Sequence, residues 1–147
     1  MGSRDADIDF TFNRPATVHA LLDALAATGW SAVGPVGHVE YMVDDGEDAY
    51  EWYDSTPGHL DEALVVPDAT ANLPYTVALD VHHSEARTGG MLMLHAGRTD
   101  ASFVPDIDRR LIPGAPEFTD PAWYLHALVP ALITAGLKGY EAREVRY

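Results

Sequence analysis

Asp80, His82 and His95 are the side chains whose types and spacing come nearest to a reactive centre. Two imidazoles and one carboxylate make up the donor set of facial-triad iron sites and resemble that of hydrolytic zinc sites, both of which keep positions open for water or substrate. Asp80 and His82 stand two residues apart in the strand-like run Tyr75 to His83, and His95 falls in the run Met91 to Ala96. A hairpin joining these runs over the loop SEARTGG, with His82 facing Met91, puts all three on one face. Met91 and Met93 share that face, and a thioether suits contact with a partner better than the shell of a hard metal. The expectation is that no metal and no other cofactor resides there.

Other chemistry finds less support. Ser55, Ser84 and Ser102 lack the strand-turn-helix context of an activated serine, and the Gly89-Gly90 pair fits neither a P-loop nor a dinucleotide fingerprint. His19 and His126 flank apolar helical stripes and read as boundary residues. The absence of cysteine excludes a disulfide framework, a thiolate zinc site and a cysteine nucleophile together. The chain is expected not to be an enzyme.

A second constellation is suited to contact. His38 to Asp54 carries seven carboxylates among tyrosine and tryptophan, with Gly46 and Glu47 placed for a two-residue type II′ turn. The DDGED segment lacks the ligand spacing of a calcium loop, so the turn explains its glycine. With that turn Tyr41 faces Trp52 and Val43 faces Tyr50 on an apolar inner side, while Glu40, Met42 and Asp44 look outward with Glu51 and Tyr53. Glu40, Met42, Asp44, Asp45, Glu47, Asp48, Glu51 and Tyr53 are thus the expected partner-binding residues.

The net charge of −14 is unevenly placed. Residues 1 to 68 hold 14 Asp and Glu against 2 Arg, whereas residues 69 to 147 hold 9 against 7 Arg and Lys. Such a field repels phosphate backbones and anionic lipid and steers a basic protein, so the expected partner is basic, with no nucleic acid and no membrane. No apolar run reaches signal-peptide or membrane-span length, which predicts a cytoplasmic protein. In general character, small, acidic and intracellular, the chain resembles the immunity proteins that neutralise bacterial toxins. The resemblance implies that it blocks the basic groove of a toxin domain. The alternatives are a metal-dependent enzyme using Asp80, His82 and His95, and an oligomeric ligand-binding domain with a pocket between helices and sheet.

The elements that must position these residues follow from periodicity. The 147 residues read as one domain, with Met1 to Arg4 set aside as a possible tag remnant. Ile8, Phe10 and Phe12 alternate with polar neighbours as in a strand with one buried face. Val18, Leu21, Leu22 and Leu25 recur at helical spacing from Pro15 to Gly29, and Thr56-Pro57 opens a short helix that Pro67 ends. In the second hairpin Val77, Leu79 and Val81 share a face with Leu92, Leu94 and Ala96. Ser102 to Ile112 contains Pro105 and reads as an edge strand or irregular segment. Asp120 caps a helix begun by Pro121, striped by Leu125, Leu128, Leu132 and Ile133 and kinked at Pro130. Tyr140 to Tyr147 is a polar strand near a sheet edge. The architecture expected is α+β, a mainly antiparallel sheet backed by two long helices on one face. Val18–Trp30 and Leu125–Leu137 match at several positions, which suggests a βαβ-type internal pseudo-repeat.

Overall fold

The computed structural model describes residues 4–34, 37–44, 52–55 and 60–146. The chain order is β1 (Arg4–Phe12), α1 (Val18–Ala26), β2 (Trp30–Ser31), β3 (Val39–Asp44), β4 (Trp52–Ser55), α2 (Leu60–Asp68), β5 (Thr76–His83), β6 (Thr88–Leu94), β7 (Asp100–Ile107), β8 (Leu111–Ile112), β9 (Ala115–Thr119), α3 (Pro121–Ile133) and β10 (Leu137–Arg146). The main sheet runs β10-β1-β7-β6-β5-β3-β4, with β2 beside β5, and every pair is antiparallel. β8 and β9 form a separate small hairpin. The fold is α+β, and its helices pack on one face of the sheet.

The period-two and period-3.6 stripes meet there. Ile8, Phe10, Phe12, Val77, Leu79, Val81, Leu92, Leu94, Ala101 and Phe103 from the sheet form one buried cluster with Val18, Leu21, Leu25, Leu64, Tyr124, Leu128 and Leu132 from the helices. Thr17 caps α1 by accepting from Ala20 N at 3.0 Å. Asp68, the last residue of α2, accepts from Val18 N at 2.7 Å and from His19 N at 3.1 Å, so a carboxylate from a second helix completes the cap where the helix dipole favours negative charge. His19 also holds Asp68 through Nδ1 at 2.8 Å, which gives this histidine a structural task. At the other end Asp120 accepts from Trp123 N and Pro121 is the first residue of α3. Tyr124 is fully buried; its hydroxyl donates to Thr88 Oγ1 at 2.7 Å and accepts from Arg110 N at 2.9 Å, pinning α3 to β6 and to the chain before β8.

Helix ends repeat one device. Gly29 and Gly136 both turn the chain at positive φ, 93° and 94°, before β2 and β10. A side chain at Gly29 would also meet His83 Nε2 at 2.8 Å. Arg98, in the turn between β6 and β7, is buried although charged. Its guanidinium donates to the carbonyls of Tyr75 at 2.7 Å, His95 at 2.9 Å and Asn72 at 2.9 Å, tying the segment after α2 to the sheet.

Several expectations need correction. β7 lies inside the sheet between β1 and β6, despite Pro105. Pairing with β1 extends only from Asp100 to Phe103, and the register with β6 shifts between Gly89 and Met91, so the proline occupies a stretch where the ladder is already interrupted. α2 runs through Pro67 to Asp68, and α3 continues past Pro130. The β5–β6 turn is shorter than SEARTGG, because β6 begins at Thr88; Asp80, not His82, faces Met91. That shift is two residues, so the apolar set stays on one face, although Ala96 lies beyond the strand and is exposed. Arg4 is paired with Arg146 and belongs to β1.

The first hairpin differs by one residue, which matters more. Tyr41 pairs with Tyr53 and Met42 with Trp52, where the sequence reading set Tyr41 against Trp52. A one-residue slip exchanges the two faces of the second arm. Tyr53 therefore stands on the side of Tyr41 and stacks on it, with ring centroids 5.4 Å apart. The turn at Gly46-Glu47 lies outside the described residues, as do Thr56 and Pro57.

Candidate functional site: the uncovered sheet face

Among the described residues no helix lies on the second face of the sheet, and its side chains follow from the strand registers. One row crosses the sheet as Glu141, Asp9, Ser102, Met93, Ala78 and Met42, contributed by β10, β1, β7, β6, β5 and β3. The neighbouring row runs Val104, Met91 and Asp80 and continues into Glu40 of β3. Methionines thus line the middle, with carboxylates on both sides.

The rows are polar networks rather than isolated groups. Ser102 is buried and donates to Asp9 Oδ1 at 2.6 Å, which leaves His95 Nε2 to donate to Ser102 Oγ at 2.8 Å. His95, Ser102 and Asp9 thus form one chain of hydrogen bonds across the face. Asp80 and Glu40 lie close enough for one carboxyl group to donate to the other, so the pair holds a proton more tightly than a lone carboxyl group does. Burial first, then the bond to Glu40 and the charges of Asp106 and Glu40, push the Asp80 carboxyl up to about 7. Burial lowers His82, against the pull of Glu40, so its imidazole is held neutral near physiological pH.

The triad of the alternative reading, Asp80, His82 and His95, does not assemble. His82 pairs with Gly89 at one end of the β5–β6 ladder, while His95 follows Leu94, the partner of Val77 at the other end. Six strand residues separate the two positions along the sheet, roughly 20 Å at the rise of a β-strand. Among the described residues no group of three His, Asp or Glu side chains is placed to hold a metal ion.

Of the residues expected to bind a partner, Glu40 is exposed on the uncovered face, as expected. Met42 lies on that face too but is only 4% exposed. Tyr53 is on the opposite side of β4, 39% exposed. Asp44 continues the Glu40 side of β3, and Asp45, Glu47, Asp48 and Glu51 lie outside the described residues. Asp106 was missed because Pro105 beside it argued against an interior strand, and the pairing of Glu40 with Asp80 because nothing local shows that β3 and β5 are neighbours. The alternation of Asp7 and Asp9 with Ile8 and Phe10 could have placed Asp9 on this face.

A cavity of about 440 Å³ adjoins one end of the face, lined by Val33, His82, Ser84, Arg87, Thr88 and Asp108. His83 also borders the cavity but packs on the helix side, between Trp30 and Trp123 at 5.2 and 5.5 Å; its Nε2 donates to Thr28 O and its Nδ1 accepts from Ala86 N. Both ring nitrogens are therefore committed to the fold. Compared with protein-family models, curated proteins and solved structures, the chain matches none.

Proposed function

We propose that this chain is a protein-binding module, a toxin-neutralising immunity protein, which presents the uncovered face of its sheet to a basic partner and occludes the groove in which that partner binds its anionic substrate. The observation that carries the reading is the Glu40–Asp80 pair. Two carboxyl groups stand together on the face opposite the helices, and among the described residues neither forms an ion pair with a lysine or arginine. A lysine or arginine from a partner supplies the absent cation, releases the proton that the pair holds and relieves the repulsion. Met91 and Met93, beside the pair, offer adaptable apolar contact around it. The net charge of −14 steers a basic protein toward the face before contact is made.

The acidic hairpin extends this surface in sequence, so the site proposed is broader than the hairpin and centred on Glu40 and Asp80. The test uses the protein encoded by the adjacent reading frame as the binding probe. Glu40→Gln and Asp80→Asn should each weaken binding about tenfold, or about 1.4 kcal/mol, with folding preserved. Affinity for the unaltered chain should rise between about pH 6 and pH 8, because Asp80, held near 7, must ionise to receive a cation. Equal affinity for all three chains, with no dependence on pH, overturns the assignment of this face.

A further inference from the structure

β10 closes one side of the sheet. It pairs with β1 along its length and with no other strand among the described residues. Ten residues make a long open edge, since such edges are usually kept short or blunted by lysine, proline or a bulge. Lys138 sits at an irregularity between the pairs Phe12–Leu137 and Thr11–Gly139, and beyond it the pairing with β1 is regular and the edge carries charges of both signs, Glu141, Arg143 and Glu144.

The hydrogen bonds flanking β1 show which peptide groups of β10 point outward. Phe12 N donates to Thr99 O on the β7 side at 2.8 Å, and Asn13 N donates to Gly136 O on the β10 side at 2.9 Å. Alternation along β1 then turns the peptide groups of Asp7 and Asp9 toward β10, where their partners are Arg143 and Glu141. The N–H and C=O groups of Tyr140, Ala142 and Glu144 consequently face the open edge.

We propose that a second copy of this chain adds its own β10 to this edge, antiparallel about a twofold axis at Ala142. Charge selects that register. An axis at Glu141 would set the two Glu141 side chains against each other, and an axis at Arg143 would do the same with two arginines. An axis at Ala142 places each Glu141 opposite the Arg143 of the other copy, twice over, as a twofold interface requires. It also brings the outward peptide groups of Ala142 together with those of Ala142, and Tyr140 with Glu144, as hydrogen-bonded pairs. Arg143 already grips Asp7 through Nε at 3.0 Å and Nη2 at 3.4 Å, and a guanidinium has further N–H donors for a second carboxylate.

An apolar surface accompanies the edge. Leu125, Val129, Pro130 and Tyr140 line a groove of about 310 Å³ between α3 and β10, with Tyr140 55% and Ile133 61% exposed. A second copy seated on the strand brings its own helix side toward this groove and extends both sheets into one. The edge lies at the opposite side of the sheet from Glu40, so a failure here leaves the proposed partner face untouched.

Light scattering of the full chain should give twice its 16.0 kDa mass. Ala142→Pro removes only an outward N–H and should yield a monomer whose thermal unfolding, measured dilute, is unchanged. Glu141→Arg and Arg143→Glu should each be monomeric, and an equal mixture of the two should recover the doubled mass, because each like-charged pair becomes a complementary one. Should Arg143→Glu not fold, Ala142→Pro and Glu141→Arg still decide. A wild-type chain that stays at 16.0 kDa at about 1 mM, where even a weak pair is half formed, overturns the proposal. Persistence of the dimer in Ala142→Pro and Glu141→Arg overturns it equally.

Discussion

The two faces of one sheet are built by opposite rules. On the helix side Val77, Leu79, Val81, Leu92, Leu94 and Phe103 present unbroken apolar surface to three helices and are fully or nearly fully buried. On the other side the same strands present Ala78, Asp80, His82, Met91, Met93, Ser102 and Val104, mostly half-buried. A core needs shape and apolar area, which tolerate little change. The second face is held by a few directional bonds and carries uncompensated charge, which costs stability in the isolated protein.

This contrast can be broken or sharpened by substitution. The largest loss is expected from Phe103→Ala on the helix side, about 3–5 kcal/mol in chemical unfolding, since the ring is fully buried against Trp30 and Tyr124. Leu25→Ala and Leu132→Ala should each cost about 2–5 kcal/mol; a loss below about 1 kcal/mol at both would mean that the helices do not seal this face.

Substitution on the other side should run the opposite way. Asp80 binds its proton more tightly folded than unfolded, so this group's contribution to stability falls as pH rises from about 4 to about 7 and stays low above that. Asp80→Asn should therefore raise the unfolding free energy at pH 8 by about 1–2 kcal/mol, solvent access having reduced the full effect, and by nothing at pH 3. A destabilised variant at pH 8 would contradict the uncompensated charge. Ser102→Ala, which removes the hydroxyl linking His95 to Asp9, should cost about 1 kcal/mol at neutral pH. Smallest of all, Met93→Ala should change unfolding by less than about 1 kcal/mol, because the side chain is only half-buried, on the face opposite the helices.

The same contrast explains what could be read from the chain. β1 and α1 were legible because Ile8, Phe10 and Phe12, and Val18, Leu21 and Leu25, each bury one periodic stripe. The two hairpins show how register errors differ in consequence. For β5–β6 the expected register was off by two residues, and the faces survived. For β3–β4 it was off by one, and Tyr53 changed sides. Turn chemistry at Gly46 was the only local guide to that register. Pro105 misled for a related reason: a proline argues against an interior strand only if its missing N–H is needed, and whether neighbouring strands need it is not written nearby.

By itself the sequence determined the α+β class, the helical and strand stripes that make the core, the Asp120 cap of the last helix, the absence of cysteine chemistry and the acidity of the first half. Those properties depend on residues close together in the chain, through a period of two or 3.6 or a side chain reaching its own backbone. Tertiary structure alone decided that β3 lies beside β5 and β1 beside β7, and so that Glu40 meets Asp80, that Ser102 joins His95 to Asp9, and that His82 and His95 stand too far apart to share a metal. Strand order is fixed by how the apolar stripes of distant segments pack under the helices, and the polar side chains on the reverse face are carried into contact by that packing.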